Sequence, residues 1–268
     1  RPTGFSLLNA DTPEPGPKPL PGVSIVVPVR NEADNIAPLI AEIRAALAVS
    51  AAWGPFEIIY VDDGSADATP VVLDAEAETC PELVIVRHGA SAGQSAAIRT
   101  GIKSARAPVI VTLDGDGQND PADIPSLLAA YAEAPDRAHL MIAGHRARRQ
   151  DSWVKKISSR IANAIRSGLL GDGTPDTGCG LKVFPRSAFL DMPSFDHMHR
   201  FLPALMIRQG GRVVSMAVNH RPRERGLSNY GVFDRLGVGI TDLFGVLWLK
   251  RRALKTPPDN QQGGESRP

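Results

Sequence analysis

Short apolar runs that stop abruptly at carboxylates or amides set the rhythm of this chain. Val23-Ser-Ile-Val-Val-Pro28, Phe56-Glu-Ile-Ile-Tyr-Val61 and Val109-Ile-Val-Thr-Leu113 are rich in β-branched and aromatic residues and have the length of buried strands. The first runs into Val29-Arg30-Asn31-Glu32, the second into Asp62-Asp63-Gly64-Ser65 with Asp67 just beyond, and the third into Asp114-Gly115-Asp116-Gly117-Gln118. Between them the period changes. Ile36, Leu39, Ile40, Ile43 and Leu47 recur at helical spacing, and further helices are expected from about Ala68 to Thr79 and from about Gln94 to Ala105. Pro121 and Pro125 introduce another helix through Tyr131, while Leu83–Arg87 and Leu140–Gly144 read as strands. Such βα alternation predicts a Rossmann-like layered α/β sheet, with the acidic strand ends gathered at the edge where open α/β sheets bind ligands.

The chemistry at those ends is oxygen-rich. Asp114, Asp116 and Gln118 offer only hard ligands on a turn that Gly115 and Gly117 allow to fold tightly, which suits Mg²⁺ or Mn²⁺ bridging to a diphosphate; an Asx-type turn would use the same residues. Gly89-Ala-Ser-Ala-Gly-Gln94 stands before a helix, yet it lacks the third glycine and the lysine of phosphate-binding loops and is read as structural, with Ser95 and Arg99 its only candidate ligand contacts. Two basic clusters follow. Arg146, Arg148, Arg149, Lys155, Lys156, Arg160 and Arg166 face a lone Asp151, and Lys155 and Ser159 lie four apart, on one face of a helix. His220-Arg-Pro-Arg-Glu-Arg-Gly-Leu-Ser-Asn-Tyr230 is the second. Either is a solvated surface or a grip for an anion.

In order along the chain, Pro28-Val-Arg-Asn-Glu32, Asp62-Asp-Gly-Ser65, Asp114-Gly-Asp-Gly-Gln118, Asp176-Thr-Gly-Cys-Gly180 and Arg223-Glu-Arg-Gly-Leu-Ser228 resemble glycosyltransferase family 2. The resemblance is strongest to its dolichol-phosphate mannosyltransferase-like branch, whose members move a sugar from a nucleotide donor to a polyprenyl phosphate, and it runs from about Pro21 to Arg252. It implies a GT-A type α/β/α sandwich with a mixed, mostly parallel sheet. It further implies a nucleotide-sugar site at Pro28, Arg30, Glu32, Val61, Asp63, Asp114, Gly115 and Asp116, and a Mg²⁺ or Mn²⁺ site at Asp114, Asp116 and Gln118. The acceptor phosphate would meet Arg146, Lys155, Ser159 and Arg223, with Arg223 also closing over the donor diphosphate. Asp116, Arg223 and Asp176 are the residues expected to act in catalysis, Asp176 by orienting sugar hydroxyls or accepting a proton unless it is only a turn residue. Two positions depart from the pattern: Lys155 stands where arginine is commoner, and Asn229 where many relatives carry lysine. The implied reaction is inverting transfer of a hexose, mannose from GDP-mannose or glucose from UDP-glucose, to a dolichyl or undecaprenyl phosphate. A saccharide or protein hydroxyl acceptor, or a catalytically silent sugar-nucleotide-binding module, are the alternatives.

Composition changes this picture little. With 268 residues, 43% of them apolar, the chain can bury a substantial core, and its net charge of +1 gives no reason to expect a nucleic-acid partner. Cys80 and Cys179 are too few for a disulfide framework and fit a reducing compartment. Residues 1–21 and 253–268 are rich in Pro, Gly or Gln and are expected to be flexible tails around a domain at 22–230 and a helix at 231–252. In that helix Phe233, Leu236, Ile240, Leu243, Phe244, Leu247 and Trp248 form an apolar stripe ending in Lys250-Arg251-Arg252, which fits a membrane interface or a docking face on the domain equally well. No apolar run approaches the roughly 18 residues needed to span a bilayer, so the expected placement is peripheral, at the cytoplasmic membrane face, aided by an integral-membrane partner protein.

Overall fold

A computed structural model describes residues 22–48, 54–146, 168–222 and 234–252, without the side chains of 234–238 and 240. Strands β1 (Val23–Val29), β2 (Phe56–Asp62), β3 (Leu83–Arg87) and β4 (Val109–Thr112) alternate with helices α1 (Ala33–Ala48), α2 (Thr69–Ala77) and α3 (Gln94–Ser104). They are followed by α4 (Ile124–Glu133), β5 (Leu140–Arg146), β6 (Lys182–Pro185), α5 (Arg186–Leu190), α6 (Leu202–Arg208), β7 (Arg212–Val218) and α7 (Asp234–Arg251). One sheet holds the strands in the order β3-β2-β1-β4-β6-β5-β7. All neighbours are parallel except β6, which runs antiparallel to both β4 and β5, so the sheet is mixed and mostly parallel as expected.

Alternation along the strands divides the core between the two faces. Ile25, Val27, Ile58, Val111 and Val183 pack with α1, α2 and α4, while Val26, Ile59, Ile110, Phe184 and Met141 pack with α3, α5 and α6. Each of these side chains is essentially removed from water, which stabilises the sandwich by about 1.5–3 kcal/mol apiece. The stripe of α1 is the clearest case: Ile36, Leu39, Ile40, Ile43 and Leu47 are its buried residues, as their spacing predicts.

The expected helices and strands before residue 146 all form, with ends shifted by a few residues; β5 continues past Gly144 to Arg146. Four elements had no forecast: β6, β7, α5 and α6. The C-terminal helix starts at Asp234 and docks on the protein through Val246, Leu243 and Leu247, while Phe244 and Trp248 remain 67% and 61% exposed. The proposed terminal tails lie outside the described residues.

Candidate active site

The C-terminal ends of β1, β2 and β4 lie side by side, in register at Val26 with Thr112 and at Val29 with Asp62. The turn Asp114–Gln118 folds back against β1 closely enough that a Cβ on Gly115 would sit 2.9 Å from the Pro28 carbonyl oxygen and strike the Val29 side chain. Only glycine permits that approach. Gln118 donates its backbone N–H to Asp116 (3.1 Å), Asn119 accepts from the Asp114 N–H (3.2 Å), and Gln94 donates to the Asp114 carboxylate (3.0 Å).

These residues face two cavities. A larger one of about 890 Å³ is lined by Asp114, Gln118, Arg146, Asp176, Lys182 and His199 among others. A smaller one of about 370 Å³ is lined by Asn35, Glu42, Asp116, Gly117, Arg221 and Pro222. The three expected metal ligands are thus divided, Asp114 and Gln118 on the larger cavity and Asp116 on the smaller, because the turn through Gly115 abandons strand alternation. No group of three or more His, Cys, Asp or Glu side chains arranged for a metal occurs among the described residues. The donors nevertheless suit a hard cation. Burial, and then the neighbouring Asp116, push the Asp114 carboxyl up to about 6, the mark of an acidic pair short of positive charge.

Asp63 is held differently from a residue waiting for a ligand. Its carboxylate accepts from Ser91 Oγ (2.8 Å), Ala92 N (2.8 Å) and Gly93 N (2.9 Å), and pairs with His88 Nδ1 at 2.7 Å. Burial opposes its charge, but the bonds from Ala92, His88, Ser91 and Gly93 prevail and hold it below the usual carboxylate range. The amides of the glycine-bearing loop therefore bind Asp63 rather than a phosphate, which agrees with the structural reading of that loop. Val61 is buried beneath it, Pro28 and Glu32 are half-buried, and Arg30 is exposed at the end of β1. Glu32 accepts from Asn35 Nδ2 at 2.6 Å.

Also lining the larger cavity, Arg146 and Asp176 form a two-pronged ion pair, Nε to Oδ2 at 2.7 Å and the second nitrogen to Oδ1 at 2.8 Å. Asp176 is only 5% exposed. Asp176 is therefore more than a turn residue: it fixes the arginine expected to meet the acceptor. Lys155, Ser159 and Arg223 lie outside the described residues. Arg221 itself is held at the site by bonding Glu42 and Asp120, each at 2.6 Å, and by donating its N–H to the Gln118 carbonyl.

Three residues of the larger cavity carried no distinguishing signal in the sequence. Lys182, the first residue of β6, is 4% exposed and donates to the Cys179 carbonyl. His199 pairs through Nδ1 with Ser95 Oγ (2.7 Å), and Ser95 accepts the His199 N–H (3.2 Å), which leaves its hydroxyl proton to a neutral imidazole. Burial foremost, with Arg200 adding to it, pushes His199 down to about 3. His197 adopts a left-handed backbone (φ 61°) and is held by Asp242 of α7 at 3.1 Å.

The family profile for "Glycosyl transferase family 2" matches residues 24–192, which hold most of the described sheet and the larger cavity's lining from Gly93 to Lys182. The chain belongs to glycosyltransferase family 2. Among curated family-2 relatives it is 37% identical over 236 residues to the dodecaprenyl-phosphate galacturonate synthase of Rhizobium johnstonii, covering 85% of this chain and 67% of that protein. It is 35% identical over 222 residues to the undecaprenyl-phosphate 4-deoxy-4-formamido-L-arabinose transferase of Serratia proteamaculans, covering 82% and 66%. The chain thus spans about two thirds of the length of these relatives. Solved structures confirm the GT-A-like α/β fold. A mannosyltransferase from Pyrobaculum calidifontis, solved with GDP-mannose and Mn²⁺, superposes with a TM-score of 0.63 at 20% identity over 91% of this chain and 68% of that one. The mannosyl-3-phosphoglycerate synthase of Rubrobacter xylanophilus gives 0.64 at 17%, over 90% and 78%.

Proposed function

We propose that this protein transfers a sugar from a nucleotide donor to a polyprenyl phosphate, with inversion at the anomeric carbon. The observation that carries the reading is the larger cavity, which brings the acidic β4 turn and the Arg146–Asp176 pair into one space of about 890 Å³. The turn suits a donor diphosphate with its divalent ion, the pair an anionic acceptor. The names of the two curated relatives, one carrying dodecaprenyl phosphate and the other undecaprenyl phosphate, support the same acceptor.

In this reading Pro28, Arg30, Glu32 and Val61 border the nucleotide, and Asp63 acts at one remove by shaping the 91–93 loop. Asp114, Asp116 and Gln118 would hold Mg²⁺ or Mn²⁺, which supplies charge neutralisation as the sugar–phosphate bond breaks. Bringing Asp116 to the same ion as Asp114 requires its side chain to turn from the smaller cavity. A phosphate acceptor is already anionic at neutral pH, so positioning matters more than a general base. Arg146, fixed in its rotamer by Asp176, provides that positioning together with Lys155, Ser159 and Arg223. A hydroxyl acceptor is the second reading; Asp176 would then be the base, but its two oxygens are both engaged by Arg146, which disfavours it.

We place the protein peripherally at the cytoplasmic face of a membrane. Exposed Phe244 and Trp248, with Arg251 and Arg252 one turn on, suit insertion at headgroup level, with or without an integral-membrane partner. No helix among the described residues is long and apolar enough to cross a membrane.

The test is a transfer assay with Mn²⁺ or Mg²⁺, labelled GDP-mannose, UDP-glucose and other nucleotide sugars, and a polyprenyl phosphate in detergent. Label should enter the organic phase, and Asp116→Ala should abolish the metal-dependent part. Donors that bind but never label the lipid would refute the acceptor.

A further inference from the structure

Lys182 is a charged side chain almost wholly removed from water, yet it has no carboxylate within ion-pairing distance among the described residues. Its ammonium carries three N–H donors, and the hydrogen bond described for it is to the Cys179 carbonyl, a neutral acceptor. Cations are rarely buried without a counter-charge, because desolvation costs several kcal/mol per ion. The two nearby carboxylates do not meet that need. Asp176 is committed to Arg146 at both oxygens. Asp114 and Asp176 act on Lys182 only through space, without a hydrogen bond to its ammonium. His199 on the neighbouring wall is neutral, and Asp196 is exposed at the rim. Lys182 thus lacks a direct counter-charge, which a ligand in the cavity could supply.

The position of Lys182 narrows the ligand. In the sheet Lys182 pairs with Thr112, two residues before Asp114 on β4, and with Ala143 on β5. It lines the larger cavity and not the smaller one, to which Asp116 belongs. In the reading above the diphosphate and its ion lie at the Asp114 turn and the acceptor phosphate at Arg146, all on the cavity that Lys182 also lines. The group held between them in that cavity is the sugar.

Building on the donor-and-acceptor reading above, we propose that Lys182 recognises a carboxylate on the transferred sugar, so that the donor is a nucleotide-activated uronic acid rather than a neutral hexose. The carboxylate would take the two remaining N–H donors and supply the missing counter-charge. A hydroxymethyl group in its place leaves the ammonium uncompensated, so discrimination of about 100-fold in kcat/KM is expected.

Calorimetry of donor binding in Mn²⁺ tests this without any lipid. Three matched pairs serve as probes: UDP-glucuronate with UDP-glucose, UDP-galacturonate with UDP-galactose, and GDP-mannuronate with GDP-mannose. At least one uronate should bind tenfold or more tightly than its neutral partner, Lys182→Met should remove the preference, and Lys182→Arg should keep most of it. No tenfold preference in any pair with the wild-type protein overturns the proposal, whether or not the variants fold. Equal weakening of both members of a pair by Lys182→Met also overturns it and assigns the lysine to the diphosphate. A retained uronate preference with no transfer to polyprenyl phosphate would sink the acceptor reading instead.

Discussion

Replacing Gly180 with alanine should disable the site while leaving the fold nearly intact. A Cβ at this position would lie 2.5 Å from Asp114 Oδ1 and closer still to the other carboxylate atoms, whereas ordinary contact begins at 3.4 Å. The carboxylate must therefore move by about 1 Å, and the open side is the cavity. The strain falls on the end of a side chain rather than on backbone, so the stability cost should stay near 1 kcal/mol, at the low end for overpacking. The functional cost is larger, since a misplacement of that size at a reacting centre lowers turnover by about 100-fold. Thermal denaturation and the lipid-extraction assay, run on the same preparations, separate the two. Full activity in Gly180→Ala would mean that the observed Asp114 geometry is not the working one. A Tm loss of many degrees would mean that Gly180 supports β6 rather than the carboxylate.

Two further outcomes follow from the hydrogen bonds. Asp63→Ala removes four partners from the 88–93 segment and should cost about 3–5 kcal/mol in urea denaturation, with faster amide exchange at Ala92 and Gly93; unchanged exchange there would contradict the anchoring role. His199, neutral when folded down to about 3 but ordinary near 6.5 when unfolded, lets the unfolded chain bind the extra proton between those values, so stability falls as pH drops through that window. At pH 5 the loss is about 2 kcal/mol, and His199→Asn should flatten it. Asp114, raised to about 6, acts with the opposite sign between about 4 and 6, but it is common to both proteins and cancels in the difference. Parallel pH profiles for wild type and variant would refute the assignment.

The first half of the fold was legible because its strands are continuous apolar runs and its helices carry clean stripes. β6 escaped notice for physical reasons: it is four residues long, begins with a lysine and ends with a proline. β7 is Arg-Val-Val-Ser-Met-Ala-Val, an edge strand with only Val218 fully buried, too weakly patterned to stand out. Asp114 and Asp176 could be found from their glycine-flanked motifs, but the partner that orients Asp176 lies 30 residues away, and the Ser95–His199 pair spans 104. Lys182 resembles any surface lysine until the sheet closes over it. The different outlooks of Asp114 and Asp116 follow from a turn, where residue spacing no longer dictates direction.

The antiparallel insertion of β6 has a consequence for how the chain must be made. β4 borders β1 on one side and β6 on the other, yet Thr112 and its partner Lys182 are 70 residues apart along the chain. During synthesis the four parallel strands emerge with β4 as a raw edge of unpaired amides and carbonyls, a template for pairing with other chains. That edge stays open until residue 185 has left the ribosome. The N-terminal half should therefore be poorly behaved when expressed alone, and its yield should recover only in fragments that extend through β6.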